Sequence, residues 1–454
     1  MVTDWMLKYA RRISARISAI EATIASLFFI SAAIQYNDGY LSRMALACVT
    51  AGLATCTWGF LSPGRRLWWP LAYMVLAWEF VCLLIARPSA GLAAGSWPFR
   101  VGILFCAAAS FLVCITRHQR LRQVAFGAAV AGLFVTGVWF LRSTPRPEID
   151  VWDLHQEASA ALYSGSNPYQ IRIRDIYPPN LSRELYGPGI SVNGRLTVGF
   201  PYPPVSLLIS SLGYLLAGDT RYAHLSAICA AALLLAYARP GKLSFVAPLL
   251  LLFTPRSFFM LEQNWSEMVV VFLFAAVVFC RFRFPKLAPW VTGLLIAGKQ
   301  YMVFAIPALL RAWRDVPKAA LAAAAVTVPF ALWNLTEFLR STVLIHLKQP
   351  FRTNALSYVA LVYQYLHFQL PVWLPFLLTA AAMLFVARRG PVTTTAVCSA
   401  VSFILLVLLI CNKAAFLNYY YLIIGTLAAA ISSAEVETAD VETADVETRV
   451  DAPR

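Results

Sequence analysis

Apolar residues in this chain come in long unbroken runs, with polar residues in short bursts between them. Runs of about 17–25 residues recur, the length a helix needs to cross a bilayer. Five precede the first long polar stretch, at roughly 20–36, 43–61, 67–86, 100–116 and 123–141. The polar stretch covers residues 142–202. Further apolar runs follow at 203–217, 222–238, 265–280, 318–334, 371–387 and 392–411, and a final run ends near residue 433. Two segments are irregular. The apolar run at 243–261 is interrupted by Pro255 and is too short before it to span, which predicts a broken or re-entrant element. Residues 287–310 carry Gly298-Lys299-Gln300-Tyr301 at their midpoint and cationic residues at both ends, which predicts a helical hairpin. A short amphipathic piece is expected at 357–368.

The pattern is that of an all-α polytopic membrane protein, a bundle of about 12–14 transmembrane or re-entrant helices with one large extracytoplasmic loop. It divides into a five-helix region (1–141), the loop (142–202), a second membrane region (203–433) and a tail (434–454). The tail repeats Val-Glu-Thr-Ala-Asp at 436–440 and 441–445 and is expected to be disordered and cytoplasmic.

Composition sharpens this picture. The chain has 454 residues, 60% hydrophobic and 13% charged, too apolar for a soluble fold of that size. The net charge of +15 does not point to nucleic acid, because the cations sit in short loops between apolar runs. Lys8, Arg11, Arg12 and Arg16 place the N-terminus in the cytoplasm, with no cleavable signal peptide evident. The loops at 63–66 and 116–122 are basic and fall inside, so five crossings put the 142–202 loop outside. Its six arginines are balanced by six acids, which agrees. The turn Gly218-Asp219-Thr220-Arg221 is expected at the cytoplasmic face, between an inward run at 203–217 and an outward one at 222–238. All nine cysteines lie in or beside apolar runs, without metal-ligand spacing, so neither a metal site nor a disulfide framework is expected.

By this topology four polar clusters share the outer face: residues 145–204, Glu262-Gln263-Asn264, Lys299, and Lys348 and Arg352 with Lys413. Acids lie in the first and cations in the later ones, an arrangement suited to chemistry on an anionic group such as a lipid phosphate. Asp150 is the first acid of the loop to sit at the membrane boundary between apolar neighbours, where a carboxylate can act as a general base. The plainer alternative is a solvated loop acid. Asp153, His155 and Glu157 are further candidates, and Asp153 also suits a cap for a helix at 154–163. Lys299 lies deep in an apolar segment, where a charge is costly, unless it snorkels to the interface. Glu79 is also intramembrane and is expected to pair with another helix. Tyr169, in Asn167-Pro168-Tyr169, and Tyr202, in Gly199-Phe-Pro-Tyr-Pro-Pro204, suit an interfacial aromatic belt or stacking on a sugar ring.

The order of Asp150, Leu162-Tyr-Ser-Gly-Ser-Asn-Pro-Tyr169, Tyr202-Pro-Pro204, Glu262-Gln263-Asn264 and Gly298-Lys299-Gln300-Tyr301 resembles the bacterial polyprenyl-phosphate-sugar-dependent glycosyltransferases of the GT-C fold. The resemblance is closest to glycosyltransferase family 87, with its alpha-mannosyltransferases and pentosyl transferases, and covers roughly residues 145–430. It implies Asp150 as catalytic base, with Asp153 as the fallback. It implies Lys299, Lys348, Arg352 and Lys413 near the donor phosphate, and Gln263, Asn264, Tyr169, Tyr202, Asn418 and Tyr419 near substrate. The implied partners are a polyprenyl-phosphate sugar donor and a lipid or glycan acceptor, outside the inner membrane. The implied transfer is inverting and requires no metal or cofactor. Five spans precede the loop here, where a family member usually has one. A transporter or flippase for a lipid-linked or anionic solute is the competing expectation, against which stands the lack of an inverted repeat. A catalytically dead scaffold is a third.

Overall fold

The computed structural model describes residues 18–62, 64, 66–92, 96–310 and 313–435. The basic lead before Ser18 and the repeats after Glu435 lie outside the described residues. The described chain is almost wholly helical. The strands among the described residues are a two-residue antiparallel pair, Ser191–Val192 with Arg195–Leu196.

The first five helices are α1 (Ala19–Gln35), α2 (Arg43–Leu61), α3 (Trp69–Ile85), α4 (Trp97–Ile115) and α5 (Gln119–Ser143). Each falls on a predicted apolar run. α1 opens on a capping box, in which Ser18 Oγ takes the Glu21 N–H and the Glu21 carboxylate takes the Ser18 N–H. Among the described residues six helices are long and apolar enough to cross a membrane: Ala19–Gly39 (α1 with the turn after it), α2, α4, α5, Arg221–Ala238 and Val316–Trp333. The helices alternate between two ends of the bundle, a loop end that carries residues 145–204 and a far end. One continuous apolar core joins helices from before the loop to helices after it, so the two membrane regions pack as one body.

The loop is itself folded. Helix α6 (Asp150–Tyr163), a 3-10 turn at Pro168–Gln170, helix α7 (Pro179–Tyr186) and the strand pair enclose two small cores. One gathers Leu154, Ile173, Ile190, Leu196 and Val198. The other gathers Ala158, Tyr169, Phe200 and Leu207 with Phe330 and Phe338 from a later part of the chain. Gly199 lies so close to the Tyr169 carbonyl that a Cβ would overlap it, which explains a glycine there.

Two topological expectations change after the loop. Helix α8 (Pro204–Ala217) has 14 residues, about 21 Å of helix against a core of about 30 Å. It does not cross. It packs against α6: Tyr163 Oη donates to the Ser211 carbonyl, and Trp152 Nε1 donates to Asp219. The turn Gly218–Arg221 therefore sits at the loop end, not at the opposite face as its charge suggested. Arg221 is fully buried and donates to the Thr144 and Pro145 carbonyls at the end of α5.

Helix α9 (Arg221–Ala238) then runs to the far end, where Arg239 meets the Ser433 carbonyl. Helix α10 (Lys242–Leu252) makes the crossing that was expected to be broken or re-entrant. Lys242 lies over the Trp69 and Tyr73 rings at the far end, and Arg256 pairs with Asp38 at the loop end. Eleven residues with Pro248 inside suffice because Leu243 through Leu252 are all buried, so the helix is solvated by protein rather than lipid. The two departures cancel, and Glu262-Gln263-Asn264, after the short α11 (Ser257–Glu262), stays at the loop end as expected.

Helix α12 (Glu267–Arg283) returns to the far end. Helix α13 (Ala288–Ile296), a 3-10 turn (Gln300–Ala305) and α14 (Ile306–Leu309) form the predicted hairpin, with Lys299 at its tip and Leu309 back at the far-end cavity. Helix α15 (Val316–Trp333) leads to a loop-end stretch: α16 (Leu335–Leu339), a π turn and α17 (Ile345–Lys348). Helix α18 (Tyr358–Leu366) matches the short piece expected at 357–368. Helices α19 (Leu374–Arg389), α20 (Thr394–Ile410) and α21 (Leu417–Ser433) finish the bundle.

Candidate functional site

Asp150 opens α6 as its first residue, its side chain half-buried at the loop end. The two carboxylate oxygens each accept a phenol: Tyr177 Oη donates to Oδ1 at 3.1 Å and Tyr186 Oη to Oδ2 at 2.6 Å. Burial raises the Asp150 pKa, and these two hydrogen bonds pull it partly back. Both phenols are pushed up, first by burial and then by the Asp150 charge, so they remain protonated donors. Asp153 is not a helix cap, because α6 begins earlier, but lies in its first turn. Burial, then the charges of Asp150 and Glu157, raise its pKa. Glu157 is exposed. His155 is fully buried, with neither ring nitrogen hydrogen-bonded among the described residues, and burial keeps it neutral by lowering its pKa.

Beneath the loop lies a second charged centre. Lys299 Nζ pairs with Glu267 Oε1 at 3.0 Å and donates to Ser266 Oγ at 2.8 Å. Both charged side chains are nearly inaccessible, at 4% and 0%. The ammonium also stands 3.8 Å from the centroid of the Tyr202 ring, within cation–π range. Asn418 Nδ2 and Tyr301 Oη converge on the same Glu267 oxygen at 3.0 and 3.1 Å, and the other oxygen, Oε2, has no partner among the described residues. Tyr419 packs edge-on against Tyr301 at 5.6 Å. Lys299 is thus a buried, paired cation rather than one that snorkels.

Three predicted cations also meet, although Lys413 lies far along the chain from the other two. Arg352 N–H donates to the Lys413 carbonyl, and its guanidinium lies 4.9 Å from the Phe416 ring. Lys413 Nζ donates to the Leu347 and Gln349 carbonyls at 3.1 and 2.6 Å, on either side of the exposed Lys348. Arg352 Nε has no partner among the described residues. Tyr186, which holds Asp150, is followed by Gly187, and Gly187 packs beside Pro350 and the Lys348 carbonyl. Tyr186 and Gly187 thus connect the acid to the backbone of the cation cluster. His155 lies 5.9 Å from the Tyr202 ring, linking α6 to Lys299.

The remaining predicted residues play other parts. Tyr169 is fully buried among Phe200, Phe330 and Phe338, and its hydroxyl donates to the Tyr202 carbonyl, so it builds the loop. Glu262 accepts the Ala90 and Gly91 N–H groups and anchors the α3–α4 connection. Among the described residues the Gln263 side chain reaches Glu262, at 3.4 Å. Asn264 takes a left-handed backbone (φ +55°) and donates to Thr220, which ties the α11–α12 turn to the α8–α9 turn. Glu79 is buried with Ser31 at 3.4 Å, joining α3 to α1.

Sequence reasoning passed over Glu267, Tyr177 and Tyr186. Glu267 carried the same signal that picked out Lys299, a charge inside an apolar run. The two tyrosines carried none, since their role depends on how the loop folds back on α6. Among the described residues no group of three or more His, Cys, Asp or Glu side chains is placed to hold a metal. Neither a family model, nor a curated protein, nor a solved structure matches the chain.

Proposed function

We propose that this chain is an integral-membrane glycosyltransferase. It moves a sugar, mannose or a pentose, from a polyprenyl phosphate to a hydroxyl of a lipid or glycan at the extracytoplasmic face of a bacterial inner membrane. Asp150 takes the proton of the attacking hydroxyl as its oxygen bonds to the anomeric carbon. The bond from that carbon to the phosphate oxygen breaks, with inversion, and the leaving phosphate is held by Arg352, Lys348 and Lys413. Lys299 is already paired, so it acts as a fixed charge beneath Tyr202. The reading rests on one observation: Tyr186, which donates to the Asp150 carboxylate, adjoins Gly187, which packs beside Pro350 and the Lys348 carbonyl of the cation cluster.

The test is sugar transfer by purified protein in detergent, with a panel of radiolabelled polyprenyl-phosphate sugars and a membrane lipid extract as acceptor. Wild-type transfer that falls by about 10²–10⁴ in Asp150→Asn supports the enzyme and its base. Transfer unaffected by the substitution removes Asp150 from the mechanism. The α13–α14 hairpin with a buried charge pair at its tip favours a second reading, a transporter for an anionic or lipid-linked solute. That reading requires flux in sealed liposomes and no turnover in detergent.

A further inference from the structure

A cavity of about 850 Å³ opens at the far end, away from the candidate site. Its apolar wall includes Ile20, Phe60, Phe282, Leu309 and Leu310. Its polar wall is cationic and hydroxylic. Arg281 lines it and donates to Thr394 Oγ1 at 3.4 Å, with no carboxylate partner among the described residues. Arg239 lines it too, donating to the Ser433 carbonyl and facing Glu435 at 3.9 Å. Asp315, the other acid on the wall, is matched by Lys318.

Two further features point to a ligand. Thr393 to Ala396, the N-terminal turn of the 17-residue α20, faces the cavity, where N–H groups and the helix dipole favour an anion. Ser433, only 4% exposed, also lines the cavity, and its Oγ has no partner among the described residues beyond the weakly hydrogen-bonding Cys398 thiol. A buried hydroxyl is seldom left unpaired when nothing occupies its site.

We propose that this cavity binds an anionic lipid by its phosphate, with Arg281, Thr394 and Ser433 as phosphate ligands and an acyl chain along Phe60, Phe282 and Leu310. The apolar wall distinguishes a lipid phosphate from a free one. The same end of the bundle carries Arg117 in a connection, Arg120 and Arg122 in the first turn of α5, and Arg388 and Arg389 in the last turn of α19, a cationic rim suited to a leaflet rich in anionic lipid. The site is independent of the sugar-transfer reading.

The experiment is native mass spectrometry and thermal melting of the full chain in detergent. Phosphatidylglycerol, phosphatidylcholine and inorganic phosphate are titrated separately. Phosphatidylglycerol is expected to remain bound and raise the melting temperature. Arg281→Gln is expected to weaken it at least about tenfold, as loss of a charge-assisted phosphate contact does. Arg388→Gln, on the rim, leaves binding within about twofold, a size usual for a solvated charge. Thr394→Val reads the same contact if Arg281→Gln does not fold. Equal retention of phosphatidylcholine, or unweakened binding in both cavity variants, overturns the proposal. Binding of inorganic phosphate as tight as that of the lipid overturns it as well, making the site one for the free anion. A chain ending at Glu435 binds phosphatidylglycerol as the full chain does. Lipid binding only in that shortened chain names the acidic C-terminal segment as the occupant and overturns the proposal.

Discussion

Two ion pairs are buried near the loop end, and they differ in what surrounds them. At the α8–α9 turn, Arg221 forks onto Asp219, with Nε and Nη2 contacts of 2.6–3.1 Å, and its other donors meet the Thr144 and Pro145 carbonyls. At the hairpin tip, Lys299 and Glu267 are as deeply buried, but several donors crowd one Glu267 oxygen and the other has no partner among the described residues. Burial alone does not separate a structural pair from a functional one, whereas completeness of hydrogen bonding does. The first pair clamps α5, α6 and α9 together. The second keeps unused capacity beside Tyr202.

The comparison can be broken in several ways. The largest effect belongs to neither pair: Asp150→Asn lowers sugar transfer by about 10²–10⁴ with little change in the melting temperature, measured in the detergent assay. Arg221→Met removes a clamp and leaves Asp219 and two carbonyls buried. It costs about 3–5 kcal/mol, seen as lost folded yield or a sharply lower melting temperature. Lys299→Met costs less stability, about 1–3 kcal/mol, because Tyr301 and Asn418 still donate to Glu267, and the double variant Lys299→Met/Glu267→Gln melts closer to wild type than either single change. A double variant no better than the singles would show that the centre is held together by the charge itself.

The smallest expected effect sharpens the role of Tyr186. The proposed transfer uses Asp150 as carboxylate, so activity is expected to fall as pH drops through its pKa, which burial raises above the ordinary value of 3.8. Tyr186→Phe removes a donor to the charged form and raises that pKa further. The acid limb of the pH–rate profile then moves to higher pH, while the rate on the plateau changes by less than about tenfold. An unmoved limb would detach Tyr186 from the base.

Much of the bundle was legible in the sequence because lipid leaves the backbone few choices. A long apolar run must become a helix, so α1–α5, α12 and α19–α21 fall on the predicted runs. The hairpin at Lys299 was legible from Gly298 and the cations at both ends. Residues 204–217 and 242–252 were misread, because apolarity and loop charge do not say whether lipid or protein surrounds a helix. Asp219 looked like part of a short charged turn, yet its partner Arg221 is enclosed by the ends of α5 and α6. The site residues divide in the same way. Asp150, Lys299 and the cations stood out as charges in unusual places. Tyr169 and Asn264 looked equally suitable and proved to be packing and turn residues.

By itself the sequence determined the helical class, the positions of most crossings, the side on which the polar clusters gather and the charged residues worth suspecting. Hydrophobic period and the cost of buried charge act locally, so they are visible locally. The tertiary structure alone decided that α8 stays at the loop end and that α10 crosses in eleven residues. It also decided that Glu267 partners Lys299 and that Tyr177 and Tyr186 hold Asp150. These depend on which distant surfaces meet, and a contact's energy belongs to the pair of residues, so neither residue shows it alone.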